Sequence, residues 1–220
     1  PDTLSFTRNP TGMRQTKWHP TPGERRTVAR AASNERSVLD DRTFTVHGRP
    51  RHVASRQVII NKGAPATHLF IVVSGRVKVS ASSEDGKEIT FAILGPGEVV
   101  GELALLAGSE HSATVTALEP TELLVFERRD FLALLQGQPD FAVDLLTTVC
   151  TRLRCSTEMT EDLSFLPLPV RLAKKLVTLA RAYGTSTSRG MRIGLHLCQQ
   201  ELANLVSTTR ESVNKQLALW

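Results

Sequence analysis

Apolar positions change their spacing along this chain of 220 residues. Between residues 57 and 127 they come as short runs or strict alternation: Gln57-Val-Ile-Ile60, Leu69-Phe-Ile-Val-Val73, Arg76-Val-Lys-Val-Ser80, Ile89-Thr-Phe-Ala-Ile-Leu94, Ser112 to Ala117 and Leu123 to Phe126. Such runs predict strands, and Gly63, Ser74-Gly75, Asp85-Gly86 and Gly95-Pro-Gly97 predict the turns between them. Many short strands at regular spacing predict a sandwich or jelly roll. After Arg128 the period becomes helical. Ala142, Leu145, Val149, Leu153, Ser156, Thr160 and Leu163 predict one long helix. Its seam is too narrow for a buried helix and suits a two-helix dimer contact through Leu145, Val149, Leu153, Ser156 and Thr160.

Phe165-Leu-Pro-Leu-Pro169 predicts a break and a hinge, because proline cannot continue a helix. Beyond it, Val170 to Tyr183 predicts an amphipathic helix with a basic outer face. Gly184 to Gly190 predicts a flexible loop, and Met191 to Leu197 a short strand. The last segment predicts two helices meeting at a tight polar turn. Gln199 to Val206 places Leu202, Leu205 and Val206 on one face. Thr208 offers an N-cap hydroxyl, and Thr209 to Leu219 turns Val213, Leu217 and Ala218 inward. Thr209, Arg210, Glu211, Asn214 and Lys215 then point outward. Arginine can read guanine and glutamate the cytosine amine, and a helix-turn-helix offers this end of its second helix to the major groove.

Charge sharpens the partition. Residues 1–56 carry 11 basic against 5 acidic side chains, residues 57–164 carry 8 against 15, and residues 165–220 carry 8 against 2. A basic C-terminal segment beside an acidic middle suits a phosphate-binding module joined to a domain with another task. Residues 1–52, rich in Arg, Thr and Pro with little apolar periodicity, predict a disordered basic tail. Cys150, Cys155 and Cys198 have no CxxC spacing and fit reduced thiols of a cytoplasmic protein. No apolar run spans a bilayer, so no membrane partner is expected. The six histidines share no metal-binding spacing, and His47, His52 and His68 read as surface residues.

The densest chemistry is Gly95-Pro-Gly-Glu-Val-Val-Gly-Glu-Leu-Ala-Leu105, followed by His111-Ser-Ala-Thr-Val115. Glycines at 95, 97 and 101 permit tight turns and close backbone approach. Gly101 and Glu102 open a short helix whose amides can meet an anion, and Glu102 can accept from a sugar hydroxyl. With the roll, the long helix and the helix-turn-helix, this cassette resembles the Crp–Fnr family of bacterial transcription regulators, over about residues 53–220.

The resemblance implies an α+β chain: a cyclic-nucleotide-binding-type β-roll (jelly roll) over 53–138, a dimerisation helix over 139–164 and a winged helix-turn-helix domain over 165–220. It implies ligand contacts from Gly101, Glu102, Leu103, His111, Ser112, Ser156 and Thr157. It implies DNA contacts from Gln200, Thr209, Arg210, Glu211, Asn214 and Lys215. Expected partners are double-stranded DNA, a second copy of the chain and RNA polymerase. Cyclic AMP or a related cyclic nucleotide is the candidate ligand, although His111 stands where the family's phosphate-binding arginine belongs. Histidine is mostly neutral near pH 7 and offers one donor in place of a charged fork. The chain starts at Pro1 without the family's leading helices and stops at Trp220, where the family continues into a β wing, which reads as a fragment or a disrupted gene. The competing readings are a nucleotide-binding module without DNA output and a cupin-like enzyme. His111 with Glu102 is too thin a set for the latter, and no catalytic constellation is expected.

Overall fold

The computed structural model describes residues 48–188 and 190–220, with the backbone of two short paired strands nearer the start, β1 (Ser5–Arg8) and β2 (Arg14–Lys17). That pairing departs from the tail expected over residues 1–52. The remainder of that segment, including His47, lies outside the described residues. The chain forms two compact units. One contains Arg36–Thr178 with Leu195–Trp220, and the other includes Leu179–Gly194.

The first unit begins with two four-stranded antiparallel sheets. One runs β3 (Arg49–Val53), β10 (Thr121–Glu127), β5 (His68–Ser74), β8 (Val99–Val100). The other runs β4 (Val58–Ile60), β9 (Thr114–Ala117), β6 (Val77–Ser82), β7 (Glu88–Leu94). The roll therefore opens at Arg49, ahead of the expected residue 53, because all of β3 pairs with Thr121 to Val125 of β10. Strand β5 explains the architecture. Its residues Leu69 to Val72 are all buried, so both faces are covered. Phe70 and Val72 face the second sheet and join Val77, Leu94, Val115 and Leu123. Leu69 and Ile71 face the other way, toward helices. A continuous apolar run is what a doubly covered strand needs.

Those helices are α1 (Glu102–Ala107), α2 (Arg128–Gly137) and α3 (Pro139–Phe165). Phe131 of α2 meets Phe141 of α3 edge-on, with ring centroids 5.9 Å apart, and Leu145 packs into the same cluster. Helix α4 (Leu168–Tyr183) follows after two residues. Pro167 makes the break, whereas Pro169 falls in the first turn of α4, where its missing N–H is not needed. Across the break Lys174 Nζ meets Asp162 Oδ1 at 2.7 Å. The expected outer basic face of α4 is only partial. Lys175 is pulled in far enough for burial to lower its ammonium pKa, and Arg171 is half-buried.

In the second unit β11 (Gly184–Thr187) pairs with β12 (Gly190–Ile193), so the expected flexible loop is a hairpin. The first unit resumes with α5 (Gln199–Leu205) and α6 (Arg210–Leu219). Leu172 of α4, Ala203 and Val206 by α5, and Val213 of α6 form their shared core.

Candidate functional site

The cassette is built at the start of α1. Its N-cap, Gly101, has φ 88, and a Cβ there would lie 3.1 Å from Ile60 Cδ1 and 3.2 Å from His111 Cε1. Glycine alone meets that conformation and approach without strain. The turn drives Glu102 inward until it is 2% exposed. A buried carboxylate needs a partner, and α3 supplies one. Arg152 Nη1 donates to Glu102 Oε1 at 2.6 Å, and Arg152 Nη2 donates to the Val99 carbonyl at 2.7 Å. One guanidinium thus fastens the long helix to the cassette.

Glu98 completes a group of two carboxylates around one cation. Its Oε2 accepts from Gly95 N at 2.7 Å, yet burial pushes its carboxyl above the usual range. His111 is 8% exposed, and burial lowers its pKa against the opposing pull of Glu102. It is neutral near pH 7. Gly101, Glu102 and His111 therefore gather as expected, while Leu103 and Ser112 lie at the surface. Ser156, one helical turn beyond Arg152, is exposed, and the Thr157 hydroxyl donates to the Leu153 carbonyl at 3.1 Å. Sequence reasoning missed Arg152. An arginine one turn before Ser156 was legible, but not a contact spanning fifty residues.

The second candidate surface lies on α5 and α6. Ser207, at φ 52, turns the chain between them. Thr209 then serves as N-cap, accepting from Ser212 N at 3.3 Å, so the cap is one residue later than Thr208. The cause is the left-handed step at Ser207, which leaves Thr209 as the last extended residue. Thr209, Arg210, Glu211 and Lys215 are exposed, and Asn214 is half-buried. Hydrogen bonds from its own amide and the Thr209 hydroxyl hold the Glu211 carboxyl below the usual range, keeping it an acceptor. Leu217 and Ala218, expected inside, are exposed, because the shared core ends with Val213. Gln200 and Arg210 line one open cavity of about 370 Å³ with Cys198 and Gln199. Arg171 braces this region. Its Nη1 donates to the Leu166 carbonyl at 2.9 Å and its Nη2 to the Val206 carbonyl at 3.3 Å.

Residues 50–138 match the cyclic nucleotide-binding domain family, and residues 170–220 match the Crp-like helix-turn-helix domain. The CRP-like cAMP-activated global transcriptional regulator of Mycobacterium tuberculosis is 32% identical over 160 residues, 73% of this chain and 71% of that protein. The cyclic AMP receptor protein of Thermus thermophilus is 36% identical over 159 residues, 72% of this chain and 70% of that one. The chain belongs to the Crp–Fnr family. It is a DNA-binding transcription regulator. Its structure is similar to that of CLP, the c-di-GMP responsive global regulator of Xanthomonas campestris, with TM-score 0.69 and 25% identity over 83% of this chain and 89% of that chain.

In this Crp–Fnr regulator the long helix differs from the expected seam. Leu145 is 5% exposed and belongs to the roll's own core, and Val149 is half-buried. The reason is α2, unread in the sequence, which folds back on α3 and recruits that face of its first turns. Leu153, Ser156 and Thr160 remain exposed, and the apolar surface left over includes Leu146 at 64% and Leu153 at 67%. With Cys150, Thr157 and Thr160 these follow a three-four spacing rotated from the expected line. Among the described residues, no cluster of His, Cys, Asp or Glu could hold a metal ion, and no helix is long and apolar enough to cross a membrane.

Proposed function

We propose that this regulator reads specific double-stranded DNA as a homodimer, and that an anionic, nucleotide-type ligand in the roll cassette sets its DNA-binding state. The observation that carries this reading is the Arg152–Glu102 pair. It joins a ligand-type carboxylate to the helix that leads, through the break at residues 166–167, to the DNA-binding helices. A ligand phosphate would compete for the guanidinium, and a ribose hydroxyl would take Glu102. Either exchange changes how α3 is held. Arg152 also offers the charged fork that His111 lacks. The relatives are named for cyclic AMP and the structural neighbour for c-di-GMP, and the phosphate anion is the part those ligands share.

A second copy would cover the stripe of Leu146, Leu153 and Thr157, apolar surface that α3 leaves open. Two heads would then read half-sites about one helical turn, ~34 Å, apart. Arg210, Glu211 and Lys215 would read bases, Thr209 and Asn214 would flank them, and Gln200 would meet a phosphate. RNA polymerase is the partner such a promoter-bound regulator would engage in the cytoplasm. Binding-site selection should return a palindrome for the wild type and a flattened motif for Arg210→Ala, which loses about 1–3 kcal/mol of discrimination. An unchanged motif overturns the assignment. Calorimetry with cyclic AMP, cyclic GMP and c-di-GMP should show binding of one of them, weakened at least tenfold by Arg152→Ala.

A further inference from the structure

Helix α5 is fastened to the roll by a chain of polar contacts. Gln200 Nε2 donates to Asn204 Oδ1 at 2.8 Å, and Asn204 Nδ2 donates to Glu88 Oε2 at 2.6 Å. The second oxygen of Glu88 meets Lys78 Nζ at 2.6 Å. Asn204 is 3% exposed, so strand β7 covers this part of the first DNA-binding helix. Burial disfavours the Glu88 charge. Hydrogen bonds from Lys78, Ser80 and Asn204, with the Lys78 charge, outweigh it and hold the carboxyl below the usual range. The contact is therefore made by a carboxylate.

We propose that Glu88–Asn204 is a latch that holds the helix-turn-helix against the roll in a pose closed to DNA. The inference rests on the DNA-binding reading of Gln200 and deepens it to the control of that site. In a helix-turn-helix the first helix crosses the DNA backbone. Here the side chain assigned to a phosphate is tied to Asn204. Asn204 in turn is tied to a negative charge on β7. A duplex approaching Gln200 meets that carboxylate and the sheet behind it. Opening the latch frees both amides and removes the carboxylate from their neighbourhood. Lys78 and Ser80 keep Glu88 satisfied when α5 leaves, so the roll does not lose its own partner.

Binding of the full chain to random-sequence double-stranded DNA at low salt tests this. Asn204→Ala removes the link, and Glu88→Gln weakens it while preserving shape. Coupling between sites of this kind usually amounts to ~5-fold or more. Both variants should bind DNA at least about 5-fold tighter than the wild type without any ligand. In a third protein, Glu88→Cys with Asn204→Cys and serine at positions 150, 155 and 198, a short bifunctional maleimide should join the two sites in the absence of DNA. The joined protein should lose DNA binding relative to its unjoined form. A joined protein that binds as well as the unjoined one overturns the latch and leaves the DNA-binding assignment standing, as does unchanged or weaker binding by both single variants. Failure to join shows that the contact is not populated and overturns it too. If no form binds DNA, the functional reading fails and the latch with it.

Discussion

His111 and Ser207 each hold a conformation or environment that their residue type does not favour. The buried imidazole of His111 has a pKa below its ordinary 6.5. The unfolded chain therefore takes up a proton first, so His111 contributes stability that is present above pH 6.5 and lost as pH falls through the window below it. Denaturant melts should show the wild type weakening from pH 7 toward pH 5 more than His111→Gln. Equal slopes would mean that other groups set the dependence. Ser207 sits at φ 52 with a buried hydroxyl that lacks a partner. Relief of left-handed strain outweighs the entropy of a glycine, so Ser207→Gly should stabilise by roughly 0.5–1 kcal/mol. Thermal unfolding would show a raised midpoint. The sequence showed both residues but neither circumstance. Burial of His111 comes with its backbone pairing to Gly63 and Ala64 and with Gly101 lying against its ring, and the φ of Ser207 from two helices sharing one core.

The long helix carries two different faces within one periodic pattern, and substitutions on them should separate. Leu145 lies in the cluster with Phe131 and Phe141, so Leu145→Ala should cost about 2–5 kcal/mol of fold stability. Leu153 is exposed, so Leu153→Glu should leave the fold's melting unchanged and convert dimer to monomer in sedimentation. If Leu145→Ala melts like the wild type, the packing of α2 on α3 is wrong. If Leu153→Glu stays dimeric, the second copy does not use this stripe. Periodicity gave the helix and its length, from Ala142 onward, but not which stripe belongs inside. That depended on α2, whose ten residues are separated from α3 by Gln138 alone and carry a short pattern easily absorbed into the roll.

Across the whole molecule the charge is divided between an acidic middle and a basic C-terminal segment. DNA affinity should fall steeply as salt rises, since phosphates neutralised by Lys and Arg release counterions. Lys215→Ala should relax the selected motif at one position and keep most of the salt slope, measured by fluorescence anisotropy on matched and mismatched duplexes. A reduced slope with an unchanged motif would move Lys215 from the base edges to the phosphates. The sequence by itself determined six of the eight described strands of the roll, the helix-turn-helix and the cassette, because each is written in local spacing: period two, period three to four, and glycine where the backbone must approach closely; β3 and the two-residue β8 carry no such pattern. Tertiary structure decided the rest. Arg152 reaches Glu102 across fifty positions, and Glu88 reaches Asn204 across 116. Such pairs leave no local signal. An arginine and a glutamate on their own read as solvated charges, and only the packing of α3 and α5 against the strands removes the water and makes them partners.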